Sequence, residues 1–330
     1  MKFLFRTFAV AILLAVIAGG WVLSRLNRPY EGFAEPVFLE FARGTSTRVM
    51  ATELARKHVI ENRWLFLAAR ALRRGTNLQA GEYKFDKPAS PLEVFGRIAR
   101  GDIYYMELLV PEGFNMFDIA GAVGKLGTIR PEAFLAAARN PASIRDLDPA
   151  APSLEGYLFP SKYRVYRHTT AQQICRMMTD EFRAQWKALR TPAGVHATIA
   201  LASMVEREAR RPEERPLVAS VFHNRLNVGM KLDCDPTTIY AALLEHRYRG
   251  AIYRSDLANT SPWNTYQHAG LPPGPIANPG LSSIRAALAP AETRYLYFVA
   301  KADGSGGHNF SESLLQHDAA VAQYQNAVRH

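Results

Sequence analysis

Between Thr7 and Ser24 the chain carries an uncharged apolar run, TFAVAILLAVIAGGWVLS, flanked by Lys2 and Arg6 on one side and Arg25 and Arg28 on the other. As helix those roughly 18 residues reach ~27 Å, enough to cross a hydrocarbon core. No second run of this kind follows, so everything after it folds on one side of a bilayer. A cleaved signal peptide is the rival reading. Its apolar region is normally shorter, however, and no small-x-small cleavage site precedes a polar mature start. The expectation is an uncleaved membrane helix at 7–24. The flanking charges are nearly balanced and leave its orientation unassigned.

The formal charge of +10 suits an anionic neighbour, whether nucleic acid, lipid headgroups or an anionic polymer. The basic residues are scattered in pairs such as Arg73-Arg74 and Arg210-Arg211, without a nucleic-acid-binding module, so no nucleic-acid partner is expected. With 48% apolar residues in 330 there is material for two packed units beyond the membrane helix. Cys175 and Cys234 lie too far apart for a paired-spacing zinc site and read as two separate thiols.

The expected fold class is α+β. Residues 36–110 mix short strands (VFLEF, AGEYKF, IYYMELLV) with capped amphipathic helices (from Thr45–Thr47 onward, NRWLFLAARALRR before Gly75, SPLEVFGRIAR before Gly101). This unit has no cluster of catalytic side chains, which points to a binding or spacer module. Residues 111–330 read as a mostly helical domain with a short β element: helices at 115–126, 131–139, 170–189, 192–210 and 218–226. A loop or short hairpin is expected at LEGYLFPSKYRV, a helix at LSSIRAALAP, a buried strand at RYLYFVAK and a second strand after GSGGH. The stretch 255–279, SDLANTSPWNTYQHAGLPPGPIANP, is too rich in Pro, Gly and Asn for regular structure, and a loop that long in a compact domain is usually functional.

The chemistry concentrates in LASMVEREAR, residues 201–210. On a helical wheel Leu201, Met204 and Val205 centre close to Glu208, whereas Glu206 lies about 160° away. Glu208 is thus the carboxylate aimed at the apolar side, where its charged form is disfavoured and its pKa rises, as a general acid requires. The plain alternative is a buried ion pair of Glu208 with Arg215 or Arg225. Glu206 reads as a solvated charge and, more remotely, as a second working carboxylate. Downstream, Asn224 and Arg225 offer hydrogen-bond donors near a helix end, and Asp235 before Pro236 fits an N-cap. Asn264 and Tyr266 sit in the aromatic, amide-rich loop, the side-chain chemistry that packs on sugar faces and bonds sugar hydroxyls. HExxH, GxSxG and P-loop patterns are missing, and the nine histidines are scattered. Neither metal nor cofactor is therefore expected.

Taken in order, VPEG, LEGYLFPSKY, ASMVEREA, VASVFHNRL, GMKLDCDPTTIY, SPWNTYQHAGLPPGPIANPG and YLYFVAKADGSGGHNF make the chain similar to the endolytic murein (peptidoglycan) transglycosylases, the YceG-like family, over roughly residues 38–320. The resemblance implies a single inner-membrane helix with residues 1–6 as a short cytoplasmic tail, a LysM-like module at 36–110, and a catalytic domain at 111–330 in the periplasm. It implies cleavage of nascent glycan strands between N-acetylmuramic acid (MurNAc) and N-acetylglucosamine (GlcNAc), leaving 1,6-anhydro-MurNAc ends, and peptidoglycan synthases as partners. The family's catalytic glutamate is the second of its E-x-E pair, which falls on Glu208. On that basis Asn224, Arg225, Asp235, Asn264 and Tyr266 are the candidate substrate-binding residues. Cys234 and Trp263 depart from the family's usual residues at their positions. A lysozyme-like muramidase and a non-catalytic wall-binding scaffold are the alternatives.

Overall fold

The computed structural model describes residues 2–328, with side chains from Arg6 onward, and its packing divides into two units between Tyr105 and Met106. The first unit begins with α1 (Lys2–Asn27) and continues through β1 (Val37–Phe41), α2 (Thr47–Arg56), α3 (Arg63–Leu72), β2 (Gly81–Phe85) and α4 (Pro91–Arg100). Residues 2–6, expected as a tail, are the first turns of α1; Met1 lies outside the described residues. From Arg6 to Asn27 this helix is long and apolar enough to cross a membrane, and none of its most apolar window is buried within the protein. Its length and composition suit a membrane anchor or a signal sequence.

Leu26, near the end of α1, is fully buried and joins the core of this unit, with Val22 packed against it. β1 and β2 pair antiparallel, Val37 opposite Phe85 and Phe41 opposite Gly81. The strand alternation turns Leu39, Phe41, Tyr83 and Phe85 into the core. Each helix start is capped as its sequence indicates: Ser46 accepts from the Val49 N–H, Asn62 from Trp64 and Leu65, and Ser90 forms a capping box with Glu93. Gly101 closes α4 at a φ of 70°, a conformation that costs glycine little.

The second unit contains β3 (Met106–Leu109), α5 (Met116–Gly124), α6 (Pro131–Ala138), β4 (Lys162–Val165), α7 (Ala171–Leu189), α8 (Val195–Glu208), α9 (Arg215–Asn227), α10 (Asp235–Leu244), α11 (Arg254–Leu257), α12 (Leu281–Leu288), β5 (Tyr297–Ala300), β6 (His308–Ser311) and α13 (Leu314–Val328). The strand expected to end the small module, IYYMELLV, contributes β3 here, where it pairs antiparallel with β4. β5 pairs with β6 as expected, but its residues are partly exposed rather than buried. Of the stretch 255–279, expected to be irregular throughout, residues 255–257 belong to α11, and the remainder up to α12 forms no helix or strand.

α8 sits at the centre of this unit. Its residues Thr198–Val205 are all buried; Ile199 and Ala202 enter one apolar cluster, and Leu201, Met204 and Val205 enter a second. Burial of each of these Ile, Leu, Met and Val side chains contributes ~1.5–3 kcal/mol, so the helix that carries the glutamates is held from both sides. The irregular loop is fastened along it: Ser203 Oγ accepts from the Ile276 N–H at 3.0 Å. Gly156 completes the clamp, with a φ of +87° and a virtual Cβ that would overlap Pro275 and come within 2.8 Å of Ile199 Cγ2. Gly156→Ala is expected to destabilise the protein by at least ~2 kcal/mol through left-handed strain and overpacking. Thermal unfolding checks this, and an unchanged transition would mean that the backbone relaxes at no cost.

Candidate active site

Glu208 is the last residue of α8 and is partly exposed. Its carboxyl meets the second apolar cluster at Cys234, one of that cluster's buried residues. Cys234, the residue before α10 and only 1% exposed, donates its thiol to Glu208 Oε1 at 3.2 Å. Burial pushes the Glu208 pKa up to about 7, the thiol hydrogen bond opposes the rise, and the negative charge of Asp235 adds to it. A carboxylate at a helix C-terminus is disfavoured further by the helix dipole.

The ion pair considered for Glu208 is not formed. Arg215 instead engages Glu206, 2.9 Å from Nη2 to Oε1, and Arg225 faces Asp233 at 3.4 Å. Glu206, expected to be solvated, is instead enclosed: its side chain is 5% exposed. Both its oxygens are occupied, because Oε2 accepts from the Gly280 N–H at 3.0 Å. The wheel failed here because α8 has hardly any solvent face; the side opposite Glu208 is covered by the 276–280 loop and by α9. Glu112, in the VPEG segment, approaches the same guanidinium at 3.5 Å.

Of the candidate substrate-binding residues, Asp235 and Tyr266 are brought together beside Glu208. The Tyr266 hydroxyl donates to Asp235 Oδ1 at 2.7 Å, Asp235 is exposed and Tyr266 is partly so. Asp235 is the first residue of α10 rather than its cap; Cys234 holds the cap position, without a side-chain cap bond. Asn224, Arg225 and Asn264 are committed to the protein's own backbone. The Asn224 amide donates to the carbonyls of Thr293 and Tyr295. Arg225 donates to those of Leu296, Lys231 and Leu232, and its guanidinium stacks on Tyr297. Asn264, fully buried, donates to Asp256, Leu257 and Asn259 carbonyls and accepts from the Tyr266 N–H. These three shape the loops that present Asp233–Asp235 and Tyr266.

Two buried groups lack a signal in the sequence pattern. Cys234 is fixed by a hydroxyl network: its N–H donates to Thr265 Oγ1 at 3.0 Å, and Thr237 Oγ1 lies 2.9 Å from the same oxygen. Glu155, in LEGYLF, is 1% exposed and its pKa is raised to about 8 by burial. Its two oxygens accept from the Met116 N–H and the Asn278 amide, at 2.8 and 2.7 Å. A raised carboxyl with both oxygens bonded and no solvent access is a structural pin. Glu208 combines a raised pKa with access, which is what proton transfer to a ligand requires.

The sequence profile of the YceG-like family matches residues 39–323. An endolytic murein transglycosylase of Bacillus subtilis is 30% identical, with 94% of this chain and 91% of that one aligned. Another of the same name, from Streptococcus pneumoniae, is 26% identical over 86% of this chain and 57% of its own length. The crystal structure of a YceG-like protein from Listeria monocytogenes superposes with a TM-score of 0.56 at 30% identity, covering 87% of this chain and 99% of that one. With a match that runs through both units and across α8, Cys234 and the irregular loop, the chain belongs to the YceG-like family.

Proposed function

We propose that the protein is an endolytic peptidoglycan lytic transglycosylase in which Glu208 acts first as general acid and then as general base. The observation that carries the reading is Glu208 itself: a partly exposed carboxyl raised to about 7 and held by a buried thiol. The names of the relatives, endolytic murein transglycosylases, support the substrate class. Glu208 protonates the glycosidic oxygen between MurNAc and GlcNAc while the muramoyl C1 gains oxocarbenium character. The resulting carboxylate takes the proton of the C6 hydroxyl as that oxygen attacks C1, and a 1,6-anhydro end forms. Because the nucleophile belongs to the substrate, no second carboxylate has to activate water, in keeping with the engagement of both Glu206 oxygens by Arg215 and Gly280. Asp235, oriented by Tyr266, lends negative charge to the cationic sugar.

In the same reading α1 anchors the protein in the inner membrane with the second unit in the periplasm, and residues 36–110 serve as the LysM-like module. Peptidoglycan synthases supply the nascent strands on which the enzyme acts.

Cleavage in 18O-labelled water tests the reaction: the new muramoyl end is expected to carry no label, whereas a muramidase would incorporate it. The pH profile tests the acid. Since the folded-state pKa is raised to about 7, the protonated form is complete at lower pH and is lost as pH rises through that value. The rate is therefore expected to fall above about pH 7 by roughly tenfold per unit. Cys234→Ala removes a hydrogen bond that favours the charged form, so this limb is expected to move to higher pH. A limb that stays in place or moves down would contradict the role assigned to the thiol.

A further inference from the structure

The outer face of α3 is unlike that of a helix covering a soluble core. Leu65, Phe66 and Ala69 point inward and are buried, yet the opposite side is also apolar. Trp64 is 64% and, on its flank, Leu72 58% exposed, Ala71 is exposed, and Leu67 and Ala68 are partly exposed while also packing against the core of this unit. The charges on and after the helix, Arg63, Arg70, Arg73 and Arg74, are all positive, and the Arg63 guanidinium lies over the Trp64 ring, 4.7 Å from its centroid. An apolar face containing Trp and bordered by arginines is the pattern of a helix lying in a bilayer's headgroup layer, where aromatic rings are enriched.

The same unit specifies what covers the face. α1 packs against both α3 and α4 and buries Leu26 in their shared core. Arg25 is ion-paired to Glu61, two residues before α3. The start of α3 is thereby tied to the point where α1 leaves its apolar span, beside exposed Trp21. Resting on the reading of α1 as a membrane anchor, we propose that the outer face of α3 docks on the anionic surface of the bilayer that α1 crosses, with Trp64 and Leu72 at the apolar boundary and the arginines on the headgroups. The small unit would then lie on the membrane rather than sway above it.

The test uses the full chain in nanodiscs of phosphatidylglycerol and phosphatidylcholine, with the Trp64 fluorescence taken as the difference between wild type and Trp64→Phe. Headgroup-linked nitroxide lipids are expected to quench this component, and Leu72→Glu to reduce the quenching several-fold. A Trp64 component that nitroxide lipids leave bright and acrylamide quenches freely would overturn the proposal. Shielding of Trp64 by added glycan strands, without lipid quenching, would assign the face to glycan and overturn it as well. The Trp21 component, isolated with Trp21→Phe, separates the two readings: quenched Trp21 beside unquenched Trp64 removes the docking face and keeps the anchor, while lipid quenching of neither component removes the anchor too.

Discussion

Glu208→Gln is expected to lower the rate of glycan cleavage by about 10²–10⁴-fold, the usual contribution of a positioned general acid, while leaving the fold intact. Gln keeps the shape and an oxygen able to accept from Cys234, but it has no proton to give the leaving oxygen and no carboxylate to receive one from the C6 hydroxyl. The variant also removes a carboxyl whose charged form burial disfavours. Sign and window follow from the raised pKa: the destabilising contribution of wild-type Glu208 grows as pH rises from the ordinary carboxyl range through about 7. Above that range the variant should unfold at the same temperature as wild type or higher. Circular dichroism alongside the rate measurement separates loss of chemistry from loss of structure. A variant that cleaves at the wild-type rate would leave Glu208 without a catalytic role.

Arg215→Ala is expected to cause the largest loss of stability. Its guanidinium and the Glu206 carboxylate are 8% and 5% exposed, and removing one member of a buried pair leaves the other charged without compensation, at a cost of about 3–5 kcal/mol. For a unit of this size that corresponds to a drop of about 6–20 °C in the unfolding midpoint. The effect reaches the site because Glu206 also holds the Gly280 N–H, so the Pro- and Gly-rich loop loses one of its fastenings on α8 and keeps the other at Ser203. Calorimetry checks this, and a shift of only a degree or two would mean that the pair is solvated.

The parts of this fold legible in the sequence are those set by local chemistry. The caps at Ser46, Asn62, Ser90, Asn115 and Thr170 stand where Ser, Thr or Asn precedes an apolar-periodic run, and Gly229 ends α9 with a positive φ. The placement of Glu208 toward the second apolar cluster, beside Cys234, was legible because the wheel needs only one residue's angle relative to its apolar neighbours. Glu206 was not, because a helix enclosed on nearly all sides has no polar face from which to infer solvation. Asn224, Arg225 and Asn264 look like ligand donors in a string of letters. Their acceptors are backbone carbonyls, for Asn224 and for the Arg225 bond to Leu296 some 70 residues away, and periodicity carries no information about such partners. The Cys234 thiol on Glu208 is missed for the same reason, as it joins the end of one helix to the start of another across 26 residues. The strand Met106–Leu109 read correctly as a strand, but its partner, β4, determines the unit to which it belongs.

The most direct measurement is mass spectrometry of the fragments released from peptidoglycan glycan strands by the wild-type protein and by Glu208→Gln. If Glu208 is the acid and base of a lytic transglycosylase, 1,6-anhydro-MurNAc ends are expected from the wild type and no cleavage above background from the variant. Reducing MurNAc ends, or anhydro ends produced equally by both proteins, would contradict that assignment.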